Sequence, residues 1–213
     1  MGSCCDPRGY DQVFGARFAR RNAARYRARG LDRASRAVVD LVTEGGVQGA
    51  TVLEIGGGVG EVQLELLRRG AASATNLELS PGYEAEAAAL VADAGLTGRV
   101  HRRLADVATD PGAVPPADVV VLHRVVCCYP DHARLLGAAA DHARRLLVFS
   151  HPPRNPVSRA LVGTQNRLCQ VTGRDFRAFV HQPAAMFAVL AERGLQVRAT
   201  RRSRVWQVAA LSR

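Results

Sequence analysis

The sequence predicts an α/β protein with a mostly parallel sheet of seven strands, whose last strand runs antiparallel to the others. Short apolar runs alternate with helical patterns from residue 51 to residue 150. Such alternation is typical of parallel strands joined by crossover helices on both faces of a sheet. Near the end of the chain, only residues 202–204 separate two further apolar runs. So short a connection predicts an antiparallel pair.

The first 30 residues are predicted to form a basic helical arm added to a domain of residues 31–213. Phe14 and Phe18 recur at helical spacing with Arg25, and Gly30 ends the pattern. Asp32 is a suitable N-cap for a second helix over residues 33–44.

The remaining elements follow in a regular order. The predicted strands cover residues 51–55, 74–78, 99–104, 118–122, 145–150, 195–201 and 205–211. The predicted helices cover residues 60–69, 82–93, 131–143, 156–172 and 183–193. Residues 107–117 contain three prolines and are predicted to form a loop with at most a short helical turn.

Length and composition indicate a single globular domain. The chain has 213 residues, of which 47% are hydrophobic and 23% charged, values typical of a globular protein. No apolar run approaches the ~20 residues that a membrane-spanning helix needs. The first residues have neither a basic nor an apolar segment typical of a signal peptide. We therefore expect a cytoplasmic protein without a membrane span, and its oligomeric state stays open.

The net charge of +10 suggests nucleic acid as a partner, but the composition offers another explanation. The chain contains no lysine, so all 29 basic residues are arginines. An arginine-only, alanine-rich chain is what a GC-rich genome produces, and we therefore expect a small-molecule partner rather than nucleic acid. The five cysteines lack the spacing of a zinc site, and no metal is expected.

A glycine-rich turn follows the first core strand and predicts a cofactor site. Glu54 ends the strand, and glycine occupies positions 56, 57, 58 and 60. Glycine lets the backbone turn tightly and leaves room for a ligand above it. The dinucleotide pattern G-x-G-x-x-G is not met, because Glu61 stands at its sixth position. The pattern resembles motif I of the class I S-adenosylmethionine (SAM) methyltransferases, which have a Rossmann-like sheet.

This resemblance assigns further cofactor-binding residues. Glu78 ends the second strand 18 residues after Gly60, and a carboxylate there is suited to the ribose diol of a nucleoside. Ser80 and Pro81 then fit the N-cap and first position of a helix. The resemblance implies that Glu54, Gly56, Gly57, Gly58 and Gly60 hold SAM, that Glu78 and Leu79 meet its ribose, and that Asp106, Val107 and His123 adjoin its adenosyl portion. S-adenosylhomocysteine (SAH) would be the product.

A second, weaker resemblance concerns residues 125–130, which read V-V-C-C-Y-P. They are similar to the V-L-I-H-Y-P segment of the magnesium-protoporphyrin O-methyltransferases. Tyr129 and Pro130 match, whereas the histidine proposed as catalytic in that family is replaced by Cys128. The match favours methylation of an oxygen in a small molecule and puts a porphyrin substrate in doubt.

The candidates for chemistry lie where the fourth and fifth strands end. His123 and His151 are candidate bases, because open α/β sheets bind ligands at the carboxyl ends of their strands and histidine titrates near neutral pH. For each of these histidines the alternative is a packing role without chemistry. Tyr129 is a candidate for orienting the substrate. In the arm, Phe14 and Phe18 are predicted to cover the cofactor, and Arg21 and Arg25 to contact an anionic substrate, or else to face solvent.

The sequence thus predicts a SAM-dependent methyltransferase that transfers a methyl group to a hydroxyl or carboxylate oxygen of a small, anionic molecule. The alternative is an RNA or protein methyltransferase that uses the basic arm. The segment after the fourth strand, however, lacks the [DNS]-P-P-[YF] motif typical of base and glutamine N-methylation. A third hypothesis is a non-catalytic protein that binds SAM.

Overall fold

The structure, a computed structural model, describes residues 9–203 and 205–213. The strands are β1 (Thr51–Ile55), β2 (Ser73–Glu78), β3 (Val100–Leu104), β4 (Ala117–Leu122), β5 (Ala143–His151), β6 (Gln196–Arg202) and β7 (Gln207–Ser212). The helices are α1 (Tyr10–Phe14), α2 (Ala16–Arg29), α3 (Arg33–Glu44), α4 (Glu61–Arg68), α5 (Glu84–Asp93), α6 (His132–His142), α7 (Pro156–Val171) and α8 (Pro183–Ala191).

Within the described residues, the seven strands form one sheet in the order β3-β2-β1-β4-β5-β7-β6. The strands β1 to β5 pair in parallel, and β7 is antiparallel to both of its neighbours. The predicted fold class is therefore confirmed: the sheet is mostly parallel, and its last strand runs antiparallel to its neighbours. The chain order reverses between β1 and β4, the position at which open α/β sheets bind ligands.

Two apolar cores cover the two faces of this sheet. One core joins α2, α3 and α4 to one face of the strands, with Val38, Leu64 and Val121 fully buried. The other joins α6 and α8 to the opposite face, with Leu136, Phe149 and Leu190 fully buried. The central strands are buried on both sides, which fixes their carboxyl ends as a rigid edge for a site.

The helix caps agree with the predictions. The Asp32 carboxylate accepts hydrogen bonds from the backbone N–H groups of Ala34 and Ser35 at the start of α3. The Ser80 hydroxyl accepts one from Gly82, and Pro81 begins a short 3₁₀ turn that leads into α5. The predicted loop before β4 likewise contains one short turn, Pro111–Ala113.

The arm differs from the single helix that was predicted, because α1 and α2 are separated at Gly15. The backbone of Gly15 packs closely against the turn after β2, where a Cβ added at Gly82 would lie 2.7 Å from the Gly15 Cα. The Ser80 hydroxyl also donates to the carbonyl of Phe14. This close contact between two backbones explains the break, which the helical spacing alone does not indicate.

None of the helices in the described part of the chain is long and apolar enough to cross a membrane.

Candidate functional site

The turn between β1 and α4 is built from glycines and packs closely against neighbouring side chains. Gly56, Gly58 and Gly60 all have left-handed φ angles, of 64°, 57° and 87°. A Cβ at Gly56 would lie 2.6 Å from the Val125 side chain. The sequence therefore requires glycine here for conformation and for space.

Glu78, at the carboxyl end of β2, faces this turn and is held by backbone donors. Its Oε2 accepts a hydrogen bond from the Gly58 N–H at 2.9 Å, and its Oε1 accepts from Leu79 at 2.8 Å and Ser80 at 3.2 Å. Burial raises the pKa of the Glu78 carboxyl, although these N–H groups oppose the shift. The geometry thus fixes one carboxylate across the glycine turn.

A cavity with two adjoining lobes lies over this edge of the sheet, and both lobes include Phe14, Gly56, Tyr83 and Arg124. The lobe beside β2 and β3, called here the β2 lobe, has a volume of about 630 Å³. The lobe beside the glycine turn, called the glycine lobe, has a volume of about 830 Å³.

Most predicted site residues line one of these lobes. The predicted residues of the β2 lobe are Phe14, Gly56, Glu78, Leu79, Asp106, Val107 and Tyr129. Those of the glycine lobe are Phe14, Phe18, Arg21, Arg25, Glu54, Gly56, Gly57, Gly58 and His123. Residues far apart in the sequence are thus brought around one cavity.

Two predicted residues, Gly60 and His151, line neither lobe. Gly60 precedes α4 with a left-handed φ of 87°, so glycine is required there for backbone conformation. A Cβ at this position would also lie 2.4 Å from the Gln63 side chain. His151 is buried, its ring stacks on Phe149, and its Nδ1–H donates to the Pro152 carbonyl. Burial lowers the pKa of His151. This geometry favours a packing role for His151 over that of a base.

His123 is hydrogen-bonded through both ring nitrogens. Its Nε2 lies 3.1 Å from the Ser35 Oγ of α3, and its Nδ1 lies 3.0 Å from the Ser150 Oγ of β5. Burial and the neighbouring Arg124 lower the pKa of His123 to about 3. A neutral ring with so low a pKa accepts a proton poorly, so this geometry favours a positioning role over that of a base.

Tyr129 contacts an acid of the cavity. Its hydroxyl donates to the Asp106 Oδ2 at 2.8 Å, while the Asp106 Oδ1 accepts from the Ala108 N–H at 3.0 Å. The Tyr129 side chain is buried. This geometry holds Tyr129 against Asp106, two residues after β3, and the predicted substrate contact of Tyr129 stays a prediction.

A network of charges centred on Asp32 joins the arm, α3 and the turn after β4. The Asp32 Oδ2 lies 3.3 Å from an Arg25 nitrogen and 2.7 Å from an Arg124 nitrogen. Burial of Asp32 raises its pKa, but the Ser35 N–H and the Arg124 guanidinium outweigh that effect and hold it well below its usual range. Arg25 also approaches Glu61 at 3.7 Å, so this arginine is paired within the protein.

Arg124 was not among the predicted site residues. It is the one non-glycine residue with a left-handed φ angle, 63°, in the described chain. Its guanidinium lies 5.3 Å from the centre of the Trp206 ring, and its backbone N–H donates to the Ser150 Oγ. Such strain is concentrated at functional sites. Its position directly after His123, at the end of β4, is the sequence signal that indicates it.

The glycine lobe contains two acids, the buried Glu54 and the partly buried Glu61. The Glu54 side chain accepts a hydrogen bond from the Gln63 N–H. Burial, with the nearby Glu61 charge, raises the pKa of Glu54 to about 8. Burial also raises the pKa of Glu61. Two acids whose ionisation is disfavoured by their surroundings are suited to a ligand that carries positive charge.

The arm contributes aromatic rings to the cavity. Phe14 and Phe18 have ring centres 5.6 Å apart, and Phe18 packs edge-on against Tyr83 of the body. Arg21 is exposed at the rim of the glycine lobe. The prediction that residues 1–30 act as a lid stays a prediction; its first eight residues lie outside the described chain.

Within residues 9–203 and 205–213, no group of three or more His, Cys, Asp or Glu side chains is arranged to hold a metal ion.

A family model described as a methyltransferase domain matches residues 18–200. No curated protein sequence matches the chain significantly.

Solved structures with the same fold include magnesium protoporphyrin IX methyltransferase from Synechocystis PCC 6803 with bound SAH. It is 20% identical, with a TM-score of 0.73 over 97% of both chains. An O-methyltransferase family protein from Burkholderia thailandensis is 23% identical, with a TM-score of 0.70 over 94% of this chain and 63% of its own. An O-methyltransferase family 2 protein from Planctomyces limnophilus DSM 3776, in complex with apigenin, is 17% identical. Its TM-score is 0.71 over 92% of this chain and 61% of its own.

Proposed function

The chain belongs to the methyltransferase domain family and has the class I SAM-dependent fold, and we propose that it methylates an oxygen of a small, anionic molecule. Its methyl donor is SAM, as the predicted motif indicates. Two neighbours of the same fold are described as O-methyltransferases, which supports oxygen as the acceptor. Cys128 in place of the expected histidine gives no reason to choose a porphyrin as the substrate.

The cavity residues fit SAM by shape and by charge. Gly56 lines both lobes of the cavity, and a side chain there would collide with Val125. We assign the ribose to Glu78 and the adenine to Asp106, and we assign the positively charged methionine portion to Glu54 in the glycine lobe. SAM supplies an electrophilic methyl group, and the protein positions the acceptor oxygen in line with it and excludes water, which lowers the barrier by about 7–11 kcal/mol.

The observation that carries this proposal is that a cation, Arg124, directly follows a histidine that accepts a proton poorly. His123 has a pKa lowered to about 3, whereas Arg124 lines both lobes. A hydroxyl acceptor needs a base, but a carboxylate acceptor needs only a cation to hold it. We therefore infer that the acceptor oxygen belongs to a carboxylate and that the product is a methyl ester.

The test uses SAM labelled with tritium in its methyl group and a panel of small carboxylic acids and phenols. A methyl ester releases volatile labelled methanol under mild alkali, whereas a methyl ether or methyl amine retains the label. We expect alkali-labile product, with the Gly58→Arg protein as the background control. Alkali-stable product would overturn the assignment to a carboxylate, and label found only in added RNA or protein would overturn the small-molecule acceptor.

One observation keeps a nucleic-acid acceptor as the second candidate. Arg17, Arg20 and Arg21 are exposed on α2, and such a row of cations attracts phosphates. If RNA were the acceptor, its affinity would fall steeply as the salt concentration rises, and a triple alanine variant at these positions would reduce that slope. We expect no such saturable binding.

We expect His123→Ala to lower turnover by about 10–100-fold, because the ring connects α3 to β5 and a small displacement at a reacting centre is costly. The affinity for SAH, measured by calorimetry, should stay within about threefold. His123→Gln keeps hydrogen-bonding groups and should recover much of the loss with an unchanged pH profile. A pH profile that loses one ionisation in both variants would instead identify His123 as the base.

We expect SAH to bind more weakly as the pH falls below about 8. The pKa of Glu54 is raised to about 8, so its carboxyl is mostly protonated near pH 7. It must lose that proton before it can pair with the positive charge of the ligand. Affinity should thus fall by up to about tenfold per pH unit below 8 and level off above it. Calorimetry between pH 6 and 8.5 measures this slope. An equal slope in the Glu54→Gln variant would contradict the role of Glu54.

A further inference from the structure

Cys127 and Cys128 are adjacent cysteines beside the β2 lobe, and methyl transfer makes no use of their thiols. The Sγ atoms of Cys127 and Cys128 are 3.7 Å apart, and both approach the Arg124 carbonyl oxygen, at 3.7 and 3.6 Å. Cys128 lines the β2 lobe, which connects it to solvent. Both cysteines are free. The cavity therefore offers a small reagent a route to a preassembled pair of sulfur atoms.

We propose that Cys127 and Cys128 form an oxidisable dithiol, which a peroxide converts into a disulfide between neighbouring residues. One thiolate attacks an oxygen of hydrogen peroxide, the O–O bond breaks, and a sulfenic acid forms while the other oxygen leaves as water. The second sulfur then attacks the sulfenic sulfur and releases a second water molecule. Both thiols are oxidised and one peroxide is reduced, and the new S–S bond closes a ring that contains the peptide bond between the two residues.

The pair is poised for this reaction and for its reversal. A hydrogen bond between the two sulfurs lowers the pKa of the Cys127 thiol and raises that of Cys128. Disulfides usually join residues with Cα atoms about 4.4–6.8 Å apart, but neighbouring residues are about 3.8 Å apart across a trans peptide bond. The resulting strain makes such a disulfide easier to reduce than an ordinary structural one.

Closure of the ring alters contacts that define the cavity. The Cys127 carbonyl accepts a hydrogen bond from the Phe179 N–H at 2.7 Å, and the Cys128 carbonyl accepts one from the Tyr10 hydroxyl at 3.1 Å. Tyr10 belongs to α1 and lines the β2 lobe. The Cys127 carbonyl belongs to the peptide inside the ring, and the Cys128 carbonyl belongs to the peptide that follows it, so ring closure displaces both groups. Oxidation thereby weakens the contact with Tyr10 of the arm and lowers cofactor affinity. By linkage, bound cofactor must disfavour the disulfide at equilibrium, and we expect it also to slow oxidation because it fills the lobe that Cys128 lines.

The experiment treats the full-length wild-type protein with hydrogen peroxide, blocks remaining thiols with iodoacetamide, and maps the peptides by mass spectrometry. We expect the peptide with residues 127 and 128 to lose two hydrogen atoms, to resist alkylation, and to recover on treatment with dithiothreitol. Saturating SAH should slow this change by about tenfold or more. The Cys169→Ala variant is the matched control, because Cys169 is also free but buried, and it should behave as the wild type does.

Three results would overturn the proposal. These are full alkylation of both cysteines after peroxide treatment, a disulfide that joins either residue to Cys4, Cys5 or Cys169, and oxidation at the same rate with and without SAH. The decisive measurement is made on the wild type, so it does not depend on the folding of a variant. It also requires no methyl acceptor, so failure of the proposed carboxylate methylation leaves this test intact.

Discussion

Replacing Gly58 with arginine is expected to abolish SAM binding, with a loss of affinity of at least about 100-fold, or about 2.7 kcal/mol. Gly58 has a left-handed φ of 57°, and a Cβ there would lie 3.3 Å from the Tyr83 ring. A long side chain would extend into the glycine lobe, and the strained backbone would disturb the hydrogen bond from the Gly58 N–H to Glu78. Calorimetric titration with SAM and SAH measures the effect.

The matched control for this substitution is Gly98→Arg. Gly98 has open space around its Cβ position and a φ outside the left-handed region, and it lines neither lobe of the cavity. The control protein should bind SAH as tightly as the wild type. Micromolar affinity in a folded Gly58→Arg protein would refute the placement of the cofactor over this turn.

Arg124→Ala is expected to lower kcat/KM by about 10²–10³-fold, a larger loss of activity than the one expected for His123→Ala. This is the size of effect seen when a charge-stabilising donor is removed. The variant removes the cation that we assign to the acceptor carboxylate. Asp32 keeps its ion pair with Arg25 and its two backbone hydrogen bonds, so α3 stays capped. SAH affinity should therefore change by no more than about fivefold.

Two further variants separate charge from structure. Arg124→Lys keeps the charge but loses the planar fork, so only part of the activity should return. Arg36→Ala removes another arginine on the neighbouring helix, whose guanidinium donates to the Leu31 carbonyl, and should leave turnover unchanged. If Arg124→Ala retained wild-type kcat/KM with the substrate found in the acceptor panel, Arg124 would have no part in holding it.

The succession of strands along the chain and the positions of most helix ends were predictable from local signals. The glycines, the Asp32 cap and the Ser80–Pro81 pair act within a few residues of where they occur, so the sequence states their effect directly. The turn between β6 and β7 was less predictable. Within the described residues of this turn, hydrogen bonds join Ser203 to Trp206. These contacts remove Trp206 from the strand that its apolar neighbours suggested.

The site was predictable where one motif supplies the residue and unpredictable where packing decides its role. Glu78 ends β2 and Asp106 lies two residues after β3, and both line the cavity. For His123, a positioning role is favoured over that of a base because both ring nitrogens form hydrogen bonds, with Ser35 and Ser150, which belong to elements distant in the chain. The hydroxyl of Tyr129 likewise bonds Asp106, 23 residues earlier. Spacing along a chain contains no information about such partners.

The two outermost strands of the sheet have a consequence for how the protein behaves at high concentration. An outer strand offers unpaired backbone groups to other chains, and charged side chains along it oppose such pairing. β3 carries Arg102 and Arg103, and β6 carries Arg198, Arg201 and Arg202. Part of the large arginine content thus gives both borders of the sheet protection against aggregation, independently of any ligand.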